Sequence, residues 1–188
     1  MTDATAVLEG AVGEGALTMG RHVRGRPDVI VHPFEEERAI VGSYCTFGAS
    51  VSILVGGLHR IDWVTTYAVR EMYGLPGAWD EIPWSRGDVV IGDDVHIGTG
   101  TLIHSGVQLG AGTIVAPFSN VTRSAPPYSI VSGNPAAVRG TRFEPAAVEA
   151  LLDLAWWTWP DHQVRAAADV LRSGDVGALR SLREEHRG

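Results

Sequence analysis

Branched aliphatic residues recur at every sixth position from Ile91: Ile91, Ile97, Ile103, Leu109, Val115 and Val121. If roughly one residue in five is of this kind, six consecutive matches have a chance on the order of 10⁻⁴. The next position in each hexad is Gly92, Gly98, His104, Gly110, Ala116 and Thr122, mostly small. The fifth is Val95, Thr101, Val107, Thr113 and Ser119. The same register runs earlier, through Val41-Gly42, Phe47-Gly48 and Ile53, with Cys45 and Val51 at the fifth position.

A period of six fits neither the 3.6 of an amphipathic helix nor the simple alternation of a strand. It predicts hexapeptide repeats, each a short strand and a turn. Three hexads close one triangular coil, and coils stack at about 4.8 Å. The first-position aliphatic points inward, and the small second position is expected to be the tight corner where left-handed backbone calls for glycine. The expected class is mainly β, a parallel β-helix occupying residues 1–143.

From Ile53 to Ile91 the spacing is not a multiple of six, so residues 56–87 are expected to be an inserted loop. A long loop on a rigid scaffold is usually functional. Glu144-Pro145 opens a C-terminal helical segment, 144–188, with an apolar stripe at Val148, Leu151, Leu152 and Ala155. Trp156, Trp157 and Trp159 follow and are expected to cap the last coil; one or two further helices are expected after them.

Charge narrows the partners. The net charge is −7, with no basic run, which argues against nucleic acid or an anionic membrane surface. All 15 basic residues are Arg. No apolar stretch is long enough to span a bilayer, and the N-terminus lacks the pattern of a secretory signal. A single cysteine, Cys45, fits a reducing compartment, so a cytoplasmic location is expected. At a fifth hexad position, Cys45 reads as a small core residue, not a nucleophile.

Several motifs, in order over roughly residues 25–165, carry a family resemblance. They are Val41-Gly42-Ser43-Tyr44-Cys45-Thr46-Phe47-Gly48, His59-Arg60-Ile61-Asp62-Trp63-Val64 and Gly87-Asp88-Val89-Val90-Ile91-Gly92. Pro127-Tyr128-Ser129-Ile130-Val131-Ser132-Gly133-Asn134-Pro135-Ala136 and Trp156-Trp157-Thr158-Trp159-Pro160 complete the set. The chain resembles the xenobiotic acetyltransferases of the hexapeptide superfamily, the type B chloramphenicol and streptogramin A acetyltransferases. The resemblance implies a left-handed parallel β-helix, a homotrimer with active sites between subunits, and acetyl-CoA as co-substrate.

It also implies roles. His59 matches the family's catalytic histidine and would act as general base; imidazole titrates near neutrality. Direct transfer is expected, with no acyl-enzyme intermediate. Gly98, Thr99, Ala116 and Pro117 would contact pantetheine, although Pro117 brings no N–H. Arg123, Arg139 and Arg142 are candidates for the phosphates. Trp63, Tyr67, Met72, Tyr73 and Trp79 would line the acceptor pocket, joined by His96, which stands where the family usually has Trp. No metal is expected: no two histidines have the spacing of the related interfacial zinc sites. Besides an antibiotic O-acetyltransferase, an N- or O-acyltransferase of sugar or secondary-metabolite biosynthesis fits the same residues. A hexapeptide scaffold protein without chemistry is the non-enzymatic alternative.

Overall fold

The computed structural model of the protein describes residues 15–31, 36–77 and 84–185. In chain order the strands are β1 (Leu17–Met19), β2 (Asp28–Ile30), β3 (Ala39–Val41), β4 (Thr46–Phe47), β5 (Ser52–Leu54), β6 (Val89–Ile91) and β7 (His96–Ile97). They continue as β8 (Leu102–Ile103), β9 (Gln108–Leu109), β10 (Ile114–Val115), β11 (Asn120–Val121), β12 (Ser129–Gly133) and β13 (Ala136–Thr141). They form three sheets: β1-β3-β6-β9, β4-β7-β10-β12-β13 and β2-β5-β8-β11. Every pairing between these strands is parallel except β12 with β13. The chain therefore visits a first, a second and a third face in turn and returns one coil further on.

The register shows the hexads directly. His96 pairs with Ile114, and Leu102 with Asn120, eighteen positions on. Thr46 pairs with His96, and Ser52 with Leu102, fifty positions apart. The surplus over one coil is thirty-two residues, the length of the 56–87 insertion.

First-position residues stack into the core. Val41, Ile91 and Leu109 lie inside the first face, Phe47, Ile97, Val115 and Val131 inside the second, and Ile53, Ile103 and Val121 inside the third; none is more than 8% exposed. Each such side chain contributes about 1.5–3 kcal/mol of burial. Fifth-position residues are buried too. Their hydroxyls are satisfied locally: Thr101 donates to Gly98 O, Thr113 to Gly110 O and Ser119 to Ala116 O, each at 2.7 Å.

The second-position glycines serve a purpose other than the expected one. Left-handed backbone falls instead at the fourth position of the hexad: Tyr44, Ser50, Asp94, Gly100, Gly106, Gly112 and Phe118 all have positive φ. The second position is small because the next coil is in the way. A Cβ on Gly98 would lie 2.5 Å from Pro117 N, and one on Gly48 2.5 Å from Thr99 N.

The three corners of the coil have different surroundings. At the first corner, between first and second faces, the outward residues Tyr44, Asp94 and Tyr128 meet the C-terminal segment. That segment comprises α2 (Pro145–Leu154), a 3₁₀ turn (Trp156–Thr158), α3 (Asp161–Ala166), α4 (Ala168–Leu171) and α5 (Val176–Glu185); α1 (Val69–Met72) belongs to the insertion. Tyr44 packs on Trp156 with centroids 4.7 Å apart. Arg142 reaches Asp94 at 3.3 Å and Gly112 O at 2.7 Å. Arg21, in the first described coil, donates to Trp157 O at 3.0 Å and to Trp159 O. The tryptophans thus run back along this corner toward the first coil, where the sequence suggested they would cover the last one. Within α2 the buried residues are Ala150 and Leu151, whereas Leu152, placed in the expected stripe, faces outward. No helix among the described residues is long and apolar enough to cross a membrane.

Candidate active site

The insertion leaves and rejoins the coil at the third corner, between third and first faces. Its neck is closed by an antiparallel bridge in which Leu58 and Trp84 exchange two N–H···O bonds of 2.9 Å. Ser85 Oγ donates to Val55 O at 2.6 Å just below. Arg86 lies against Gly106, whose lack of a side chain leaves room for it.

His59 follows the neck at once and is exposed. Its Nδ1 lies 3.1 Å from the carbonyl oxygen of Thr66. A carbonyl can only accept, so Nδ1 carries a proton, and in the neutral ring the lone pair is then on Nε2. The orienting partner is backbone, and no residue type marks a carbonyl in a sequence. Next to it Arg60 grips Asp62 through Nε at 2.9 Å and Nη2 at 2.6 Å. That hydrogen-bonded pairing lowers the Asp62 carboxyl to about 2. The Arg60 guanidinium also lies 5.7 Å from the centre of the Trp63 ring. The Arg-x-Asp-Trp sequence is thus a clasp that shapes the turn behind His59.

Trp63, Tyr67, Met72 and Tyr73 are all exposed on the insertion, as are Ile61 and Val64. Among the described residues they form no buried core for their own loop. Trp79 lies outside the described residues.

The pantetheine candidates share the second corner, between second and third faces. The turns Gly98-Thr99-Gly100 and Ala116-Pro117-Phe118 sit one above the other, bound by Phe118 N to Thr99 O at 2.8 Å; Gly100 N donates to Ala49 O at 2.9 Å. Ala49, Ser50, Thr99, Pro117 and Phe118 are exposed along it. The N–H of Thr99 has no acceptor among the described residues.

His96 stands on the outside of the second face, its Nδ1 2.6 Å from Thr46 Oγ1. Arg123 is exposed beyond β11. Arg139 donates to Ser132 O at 3.3 Å. Arg142 is turned instead toward the first corner, over the rings of Tyr128 and Phe143 at 5.2 and 5.5 Å. The three arginines are therefore not one cluster: Arg142 serves Asp94, away from the second corner.

Cys45 is fully buried, its thiol donating to Gly92 O at 3.1 Å. Burial pushes the thiol up to about 11. Among the described residues no group of three His, Cys, Asp or Glu converges as a metal site.

Comparison with known proteins agrees with this architecture. The bacterial transferase hexapeptide (six repeats) family model matches residues 88–123. A chloramphenicol acetyltransferase of Agrobacterium fabrum is 35% identical over 149 residues, which cover 76% of this chain and 70% of that one. A probable macrolide acetyltransferase of Lysinibacillus sphaericus is 36% identical, over 78% of this chain and 84% of that one. A hexapeptide-repeat acetyltransferase of Vibrio cholerae, solved with acetyl coenzyme A, superposes with a TM-score of 0.53 at 26% identity, over 69% of this chain and 62% of that one. The chain spans about three fifths of that solved protein's length. Repeat, insertion and relatives together place the chain in the hexapeptide-repeat acetyltransferase family, in the branch that contains the chloramphenicol and macrolide acetyltransferases.

Proposed function

We propose that the protein transfers the acetyl group of acetyl-CoA to a hydroxyl of an antibiotic-like small molecule, with His59 as general base. The observation that carries this is the Nδ1 contact with the Thr66 carbonyl, which leaves Nε2 as a fixed proton acceptor. Acetyl-CoA supplies an activated thioester carbonyl. His59 Nε2 takes the acceptor hydroxyl's proton as its oxygen attacks that carbon, and the imidazolium returns the proton to the departing sulfur. The Thr66 carbonyl holds the ring through both steps and stabilises the positive charge between them. Cys45 takes no part: it is buried and protonated, so transfer is direct.

Residues at the second corner hold the donor. The Thr99 N–H, which has no acceptor among the described residues, suits an amide carbonyl of pantetheine, and the small Gly98 and Ala116 suit a close approach. Arg123 and Arg139 are the partners for phosphate; Arg142, spent on Asp94, is not one. Trp63, Tyr67, Met72 and Tyr73 form the acceptor wall, with His96 and Trp79 as further candidates. Named relatives act on chloramphenicol or, probably, on macrolides. Large, partly apolar, hydroxylated acceptors match an aromatic, Met-bearing loop.

A left-handed coil and a homotrimer complete the reading, with each insertion reaching a neighbouring subunit. This gives the exposed loop aromatics a partner. A cytoplasmic location fits an enzyme that needs acetyl-CoA.

A thiol-release assay with acetyl-CoA against hydroxylated antibiotics and amino sugars tests the proposal. Turnover with at least one hydroxylated antibiotic is expected, falling about 10²–10⁴-fold in His59→Ala. Undiminished turnover in that variant would sink the mechanism.

A further inference from the structure

The second corner carries one residue that neither the core nor the proposed chemistry uses. Phe118 is 76% exposed. It sits at the fourth position of its hexad with φ of 57°. That left-handed conformation is disfavoured for any residue with a side chain. The other bulky residues at this position have cover. Tyr44 packs on Trp156, and Tyr128 is buried beneath Arg142 and Phe143. Phe118 instead lies over Gly100: a Cβ there would be 2.6 Å from its Cδ1 and 2.7 Å from its Cε1. Glycine one coil below therefore provides the seat for the ring, and one face of the ring is left to solvent. Its backbone N–H holds Thr99 O, so the ring is tied to a turn whose own N–H has no acceptor among the described residues.

We propose that Phe118 is a positioning residue for the acyl donor, its ring forming the apolar wall against which the pantetheine arm of acetyl-CoA lies. This rests on the reading of the protein as an acetyl-CoA-dependent enzyme. An exposed ring beside an unspent amide N–H matches what pantetheine offers, amide carbonyls alternating with short apolar stretches. Pro117 supports the same arrangement: it removes a donor at the neighbouring turn and adds apolar surface, so the ring supplies contact where a hydrogen bond is missing.

The test is Phe118→Gly, which removes the ring and relieves the backbone, so the variant folds. Calorimetric affinity for coenzyme A and the KM for acetyl-CoA should each weaken by roughly fivefold, the KM for the acceptor staying within twofold. Phe118→Tyr should restore both. S-acetylpantetheine should suffer the same factor as acetyl-CoA; a loss confined to acetyl-CoA would move the contact to the nucleotide and overturn the assignment. Unchanged coenzyme A affinity in Phe118→Gly would overturn it too, as would a changed oligomeric mass with unchanged affinity, which would make the ring a subunit contact. Failure of the wild-type protein to bind coenzyme A at all would refute the enzymatic reading, a separate outcome.

Discussion

Two glycines with the same chemistry carry opposite weights in this fold. A methyl group on Gly98 meets the backbone of the next coil at 2.5 Å, whereas one on Gly140, in β13, meets nothing within 4 Å. Gly98→Ala is expected to lose about 1–3 kcal/mol through overpacking. Gly140→Ala should leave the denaturant midpoint unchanged or slightly raised. Measured midpoints of the two variants check both. The sequence made the second-position glycines conspicuous but not their reason, because a period reports where small residues recur and not whether backbone angle or neighbouring coil demands them. Cys45 was legible from its hexad position alone. With its thiol raised to about 11 by burial, it should resist alkylation in the native protein from pH 7 to 9 and react once denaturant opens the coil. The proton-bearing nitrogen of His59 was not legible, since it depends on a carbonyl seven residues away.

Among the elements, the C-terminal helices departed most from expectation. Aromatic clustering correctly marked Trp156, Trp157 and Trp159 as packing residues, but local sequence does not say which surface of a solenoid they meet. The fourth-position column decides it: Tyr44, Asp94 and Tyr128 project from one corner and provide rings and a carboxylate for the segment to lie on. Asp94 is the strained member. Burial raises its carboxyl more than Arg142 lowers it. The folded state therefore binds that proton more tightly than the unfolded chain does. The associated stability is present in acid and lost as pH rises through the native value. Asp94→Asn should remove this part of the pH dependence and be no less stable than the wild type at neutral pH, where Arg142 still holds Gly112 O. Urea midpoints at pH 4 and pH 7.5 for both proteins give the comparison. Arg142→Ala should do the reverse, losing about 1–3 kcal/mol by leaving the half-buried carboxylate without its cation.

For the whole molecule, a chain of 20.1 kDa with exposed Ile61, Val64, Tyr67 and Tyr73 on one projecting loop is expected to run in gel filtration at about three times its own mass. A monomer at micromolar concentration would refute the shared active site. The same loop has a further consequence. It opens and closes at one corner, between strands that stay in register across it, with the Leu58–Trp84 bridge as its neck. To the coil it is a parenthesis. Closing fifty positions instead of eighteen costs only about 0.9 kcal/mol of chain entropy, and doubling a loop about 0.6 kcal/mol. The stacked core therefore places almost no constraint on what the parenthesis contains. Under the proposed function, acceptor choice is expected to be rewritten by exchanging residues 67–83 as a cassette, keeping His59, its Arg60–Asp62 clasp and the Thr66 carbonyl, while the corner proposed to hold the donor and its ladder of hexads remain untouched.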